Sequence, residues 1–167
     1  IHIMKVWVHS HYDNKFIENA LKEKGIDIGR KPDFVITYGG DGTILEAEWF
    51  YPGVPKITIK KSIICSQCMH YSSANIHKII AKLKTGKYKL REFEKIEVYA
   101  KGKRLTAMND IVIRNKLPYK ALRFSVFAGA TKKENIIGDG IVAATAHGST
   151  AYYKNIGYKS FKSGARI

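Results

Sequence analysis

The chain has 167 residues, of which 45% are apolar and 26% charged, a globular composition and not a disordered one. No apolar run approaches the roughly 20 residues that span a bilayer. The 29 Lys+Arg against 14 Asp+Glu leave a formal charge of +15, which argues against cationic partners and admits nucleic acid, an acidic membrane surface or phosphorylated small molecules without choosing among them.

Met4 to His9 reads as a short buried strand. Asn14 is placed to cap a helix carrying Phe16, Ile17, Ala20 and Leu21 on one face, with Gly25 as its stop. Asp33 to Tyr38 is a second strand, running directly into Gly39-Gly40-Asp41-Gly42-Thr43. A helix is expected over Ile44 to Phe50, a strand over Pro55 to Lys60, and a helix capped by Ser73 with Ile76, Ile79, Ile80 and Leu83 at helical spacing before Gly86. The alternation predicts a small open parallel α/β sheet over residues 1–90. Beyond it, Lys95–Ala100, Leu105–Arg114, Leu122–Ala128 and Ile141–Thr145 read as strands, with Lys101-Gly102-Lys103 as a hairpin turn and no convincing helix, so residues 91–167 are expected to be an all-β domain.

Two cysteines, Cys65 and Cys68, do not make a secreted disulfide framework. Ile1 to Ser10 carries no secretory pattern, and the expectation is a pair of ordinary thiols in the reducing cytoplasm. Cys-x-x-Cys with His70 and His77 nearby raises a zinc reading, but a closed structural site needs all four to converge, and the six residues between the histidines fit common patterns poorly.

Three stretches carry polar chemistry. In Gly39-Gly40-Asp41-Gly42-Thr43, glycines permit positive φ and let backbone N–H groups approach an anion, and a following helix N-terminus adds partial positive charge, which suits a phosphate. Asp41 would repel that phosphate unless it has a role of its own, either holding Mg²⁺ with the phosphates or accepting a proton from an attacking hydroxyl. The plain alternative is a tight turn with Asp41 as the helix cap. No Gly-Lys-Ser/Thr follows, and the Gly-x-Gly-x-x-Gly dinucleotide fingerprint is absent. Next, Asn109 and Asp110 interrupt the apolar run to Arg114: either they are turn residues, or an amide and a carboxylate meet a ligand's polar edge. Last, Gly138-Asp139-Gly140 leads to Thr145-Ala146-His147-Gly148-Ser149-Thr150-Ala151-Tyr152, where small residues let a flat ligand near the backbone and Tyr152 either stacks on a ring or packs as core.

The order of these motifs resembles the NAD kinase family (ATP- or polyphosphate-dependent), from the first strand to about Gly157. The first motif alone is shared with diacylglycerol and sphingosine kinases; the second and third are more specific. The resemblance implies an α/β domain followed by a β-rich one, and phosphoryl transfer from ATP or polyphosphate to the 2′-hydroxyl of the adenosine ribose of NAD, with Mg²⁺. It implies Asp41 as catalytic base, Gly39, Gly40, Gly42 and Thr43 as the phosphate loop, and an NAD site of Asp41, Gly42, Asn109, Asp110, Asp139, Thr150, Ala151, Tyr152, Tyr153, Lys154 and Asn155. A cytoplasmic homodimer or homotetramer is expected, with no membrane partner.

Departures from the family pattern include Thr145-Ala146-His147 before Gly148, Ile137 where a basic residue is common, and Lys60-Lys61-Ser62-Ile63-Ile64-Cys65 in place of a Gly-rich segment. The chain stops soon after the third motif, so the C-terminal part is expected to be short or missing. A lipid kinase of the same superfamily and a catalytically silent basic nucleotide- or nucleic-acid-binding protein are the alternatives. Scattered lysines, such as Lys22, Lys60, Lys101 and Lys132, count against a nucleic-acid face.

Overall fold

The computed structural model describes residues 3–63, 65, 68 and 73–167. They form two compact units, one ending at Arg91 and one running from Glu92 to Ile167.

The first unit contains β1 (Lys5–Ser10), α1 (Lys15–Glu23), β2 (Asp27–Ile28), β3 (Phe34–Gly39), α2 (Asp41–Phe50), β4 (Lys56–Lys60), a 3₁₀ turn at Ser73–Asn75 and α3 (Ile76–Lys84). Its strands form one parallel sheet in the order β2-β1-β3-β4. All six residues of β3 are buried, so its sequence shows a continuous apolar run and no alternation. Side chains alternate across a strand. Val6 and Val8 of β1, with Ile36 and Tyr38 of β3, join one core with Ile17 and Leu21 of α1 and Ile79, Ile80 and Leu83 of α3. Trp7 and His9 have the opposite parity and meet α2: the Trp7 and Tyr51 rings are 6.1 Å apart, and those of His9 and Phe50 5.9 Å.

Helix ends differ from the sequence expectation in three places. Asn14 flanks α1 but caps it through its backbone carbonyl, which accepts from Ile17 N–H at 2.8 Å, while the side-chain acceptor is Asp13 Oδ1, to which Lys15 N–H donates at 3.1 Å. Helix α2 starts at Asp41, three residues before Ile44, with Gly40 as N-cap, so Asp41 is not the cap. Ser73 opens the 3₁₀ turn, and Asn75 precedes α3. Gly25 ends α1 as expected, at φ +64°.

The second unit contains β5 (Ile96–Ala100), β6 (Lys103–Ala107), β7 (Asp110–Arg114), β8 (Leu122–Ala128), β9 (Thr131–Gly138), β10 (Gly140–Thr145), a 3₁₀ turn at Gly148–Thr150, α4 (Tyr152–Asn155) and β11 (Ala165–Arg166). Every pairing is antiparallel: β5 with β6, β8 with β9, and β10 between β7 and β11. The β5–β6 turn has Lys101 at φ +49° and Gly102 at φ +72°, the double positive φ that a two-residue hairpin with strand-matched twist requires. The expected single strand Leu105–Arg114 is broken at Met108-Asn109 into β6 and β7, and short α4 stands where no helix was expected. Strand β9 escapes sequence reading because Thr131–Asn135 is polar and exposed. It is held by its backbone against β8, with a bulge that leaves Asn135 at φ +56°.

Thr145 holds the Met108-Asn109 break. Its buried hydroxyl donates to Met108 O at 2.8 Å and accepts from Gly148 N–H at 2.9 Å, and its own N–H donates to Asn109 O at 2.9 Å. Thr145→Val preserves shape but strips both hydroxyl bonds, one from the buried Gly148 N–H and one from the half-buried Met108 carbonyl. Urea unfolding should show a loss of about 1–3 kcal/mol; an unchanged midpoint would mean that the hydroxyl does not hold the break.

Candidate functional site

In an open parallel sheet, ligands bind beyond the carboxyl ends of the strands where the strand order reverses. In the order β2-β1-β3-β4, that place lies between β1 and β3. The chain leaves β1 through Ser10, His11 and Tyr12, and leaves β3 through Gly40 and Asp41. An open cavity of about 590 Å³ lies there, lined by His11, Tyr12, Gly40, Asp41, Gly42, Thr43, Glu46 and Ser62. The strand exits are tied together: Ser10 Oγ donates to Tyr38 O at 2.8 Å and accepts from Tyr12 N–H at 3.0 Å, and Lys61 and Ser62 N–H both donate to Gly39 O.

Asp41, Gly42 and Thr43 form the first turn of α2. First-turn N–H groups have no intrahelical acceptor and carry the positive end of the helix dipole, so this wall of the cavity favours an anion. The glycines do not show the positive φ that the sequence allowed. None of Gly39, Gly40 and Gly42 has positive φ; Gly40 is extended at φ −125°, ψ −166°. Gly39 is needed for space: a Cβ there would lie 2.8 Å from Thr43 Cβ and closer still to Thr43 Oγ1. Nothing would meet a Cβ on Gly42.

Sequence reading missed three residues here: His11 and Glu46, which line the cavity, and His9, which contacts Glu46 behind them. His9 is on β1, His11 follows directly after the strand's last residue, Ser10, and Glu46 comes from the second turn of α2. Glu46 Oε2 lies 3.0 Å from His9 Nε2 and 2.5 Å from His11 Nε2. Hydrogen bonds from His9 first, then His11, hold the Glu46 carboxyl below its ordinary range. The signal was the His-x-His at a strand end, which acquires meaning only when α2 is laid on that face.

Cys65 and Cys68 are joined as a disulfide, in place of the two expected thiols. Cys65 Sγ lies 3.1 Å from Asp41 Oδ1 and accepts from Cys68 N–H at 3.1 Å, so the cystine stands directly beside the candidate catalytic carboxylate. The four-residue zinc site expected as an alternative is not formed: both sulfurs are used, and His77 pairs with Glu23 on α1 at 3.7 Å. His70 lies outside the described residues.

The second unit carries the other predicted residues but does not bring all of them together: Gly140, next to Asp139, pairs with Arg114 at one end of the β7–β10 ladder, while Asp110 pairs with Ala144 at the other. Asn109 and Asp110 sit at the start of β7, and Gly148 packs so closely on the Asn109 backbone that a Cβ would clash with it. Burial pushes the Asp110 carboxyl up. Asp139 is exposed in the tight turn between β9 and β10. Thr150 ends the 3₁₀ turn and Ala151 precedes α4, on which Tyr152, Lys154 and Asn155 are exposed. Tyr153 is different: it is core, stacked on Tyr158 at 5.0 Å and edge-on to Phe161 at 5.5 Å. The His147 ring packs edge-on against Phe93 at 4.6 Å.

No family model matches the chain. A bifunctional NADP phosphatase/NAD kinase of Methanocaldococcus jannaschii is 32% identical over 130 residues, covering 74% of this chain and 22% of that protein. An NAD kinase of Picrophilus torridus is 31% identical over 141 residues, covering 83% of this chain and 51% of that one. The crystal structure of an NAD kinase from Archaeoglobus fulgidus in complex with ATP superposes with a TM-score of 0.79 at 24% identity, covering 95% of this chain and 67% of that one. The fold is therefore that of NAD kinases, and the chain is homologous to them. It spans about half, or less, of the length of the first two relatives.

Gly39→Ala should cost about 1–3 kcal/mol through overpacking on Thr43, whereas Gly42→Ala should fold at least as stably as the parent; equal melting temperatures for the two would refute the packing role. For Asp110, the native state binds its proton more tightly than the unfolded chain does, so the ionised form costs stability above the native pKa, and the cost fades as pH falls through the carboxylate range. Asp110→Asn should then raise the melting temperature near pH 7, with the gain shrinking on acidification; a pH-independent difference would contradict the burial argument.

Proposed function

We propose that the chain is the catalytic portion of an NAD kinase, transferring a phosphoryl group from ATP or polyphosphate to the 2′-hydroxyl of the adenosine ribose of NAD. The observation that carries this reading is the position of Asp41: a carboxylate on the first turn of α2, in the cavity at the strand-order reversal, in a chain homologous to NAD kinases. The Asp41 carboxylate accepts the proton of the attacking hydroxyl. The α2 first turn, with Gly40, Gly42 and Thr43, receives the donor phosphates and meets the charge that develops on them. Because the transferred group passes through a loose transition state, positioning and electrostatics supply most of the acceleration. Mg²⁺ takes oxygen ligands, and the Asp41 carboxylate in a phosphate-sized cavity fits it; the ion would neutralise phosphate charge there.

The NAD-binding part of the proposal rests on Asn109, Asp110, Asp139 and Thr150 through Asn155. The exposed Tyr152 offers a ring for the dinucleotide, while Tyr153 contributes by holding α4 in place. A homodimer or homotetramer belongs to the same reading, supported by large apolar side chains left exposed in the second unit, including Tyr99, Phe127 and Ile137. So does a cytoplasmic location, where thiol-reducing conditions would place a Cys65/Cys68 dithiol beside Asp41. Among the described residues no helix is long and apolar enough to cross a membrane.

The test is incubation with NAD, Mg²⁺ and either ATP or polyphosphate, with NADP measured. Asp41→Asn should lower NADP formation about 10²- to 10⁴-fold, the usual worth of a general base, and leave the Kd for NAD within a few fold. A fully active variant would overturn the role of Asp41, and no NADP with either donor would overturn the activity.

A further inference from the structure

We propose that His9, His11 and Glu46 form a binding site for a borderline transition-metal ion of the Zn²⁺ class at the edge of the cavity, which His11 and Glu46 line. The Nε2 or Nδ1 atoms of the two histidines and a carboxylate oxygen of Glu46 all lie within 4.8 Å of one another. Two imidazoles and one carboxylate make a familiar three-ligand set for catalytic zinc, which leaves a further position open. With metal–nitrogen and metal–oxygen bonds near 2.0–2.2 Å, tetrahedral donors stand about 3.3–3.5 Å apart. The two observed separations from Glu46 Oε2, 3.0 and 2.5 Å, are shorter, so a small outward rotation of the side chains makes room for an ion.

The secondary structure supplies the set without strain. β1 places His9 on the α2 side, the first residue after the strand is His11, whose ring lies 6.0 Å from that of His9, and α2 delivers Glu46 one turn beyond the cavity loop. His9 is the sheltered ligand, with its side chain 15% exposed and the Phe50 ring beside it. His11 is the open one, at 67%. Without metal, one carboxylate oxygen receives hydrogen bonds from both rings, which puts a proton on each Nε2. Metal binding replaces those bonds: the carboxylate and both Nε2 atoms turn to the ion, and the ring protons move to Nδ1 or to solvent.

This site is distinct from the Mg²⁺ that accompanies donor phosphates. Imidazole donors suit zinc, copper and nickel, while magnesium is held by oxygen. His11 and Glu46 line the same cavity as Asp41, so an ion there would offset carboxylate charge that otherwise opposes an anion at the α2 N-terminus. The site does not depend on kinase activity, because the ligand geometry is complete in the first unit alone.

The test uses the full chain carrying Cys65→Ser and Cys68→Ser, so that no thiolate competes for metal, and omits nucleotide. Titration with Co²⁺ should bring up visible ligand-field absorption with one-to-one stoichiometry, which Zn²⁺ should displace and millimolar Mg²⁺ should not. His9→Ala, His11→Ala and Glu46→Gln should each weaken Zn²⁺ binding at least about tenfold, since loss of an outer-shell partner alone costs 10- to 100-fold. His77→Ala should leave it unchanged. If His9→Ala fails to fold, the exposed His11→Ala decides, with circular dichroism as the check on folding. No Co²⁺ spectrum, or undiminished Zn²⁺ affinity in His11→Ala and Glu46→Gln, would overturn the site and leave Glu46 as a hydrogen-bonded partner of two histidines.

Discussion

The first unit is organised by the reversal of strand order at β1. The chain passes from β1 to β2 on one side and then to β3 on the other, so the connections leaving β1 and β3 diverge at their carboxyl ends. A crevice must open between them. Its walls are whatever residues follow those two strands, and here they are Ser10-His11-Tyr12 and Gly40-Asp41-Gly42. Full burial of β3 makes this arrangement rigid: its exit cannot shift without moving the central strand. The contact of Gly39 with Thr43 then fixes where α2 begins, and with it the position of Asp41.

The second unit is built differently. Its buried apolar cluster is small, centred on Ala144, Tyr153 and Phe161, and hydroxyls supply much of the definition. Thr145 clamps the break between β6 and β7. Ser149, wholly buried, lies 2.7 Å from Ala146 O and accepts from Phe161 N–H at 3.1 Å. Small residues at these positions therefore have a structural explanation as well as the ligand-facing one: Gly148 lies against the Asn109 backbone because nothing larger fits. The positive charge has no comparable architectural role. None of the residues assigned to chemistry is a lysine, apart from Lys154 on the exposed side of α4, and a net positive field acts on anionic ligands at long range.

The α/β texture before residue 90, the antiparallel strands after it and the loop after β3 were legible because each rests on local periodicity or composition. Strands β1, β3, β4 and β8 carry dense β-branched and aromatic runs, and Lys101-Gly102 carries its own turn chemistry. Elements with weak local signals were not legible. β9 is polar and held by pairing alone. α4 is four residues long, too short for helical periodicity to register. The division between β6 and β7 depends on a hydroxyl from Thr145, distant in sequence.

The candidate site divides along the same line. The sequence by itself determined that a strand ends in Gly-Gly-Asp-Gly and that the polar motifs follow in a particular order, since these are facts of adjacency. Tertiary structure decided what adjacency cannot carry. It assigned Gly39 to close packing, brought Glu46 to His9 and His11 across two elements, set the Cys65–Cys68 disulfide against Asp41, and turned Tyr153 inward while leaving Tyr152 exposed. The physical reason is that these properties depend on distances between groups remote along the chain, which are set only when α2 is laid on the sheet and α4 on β10.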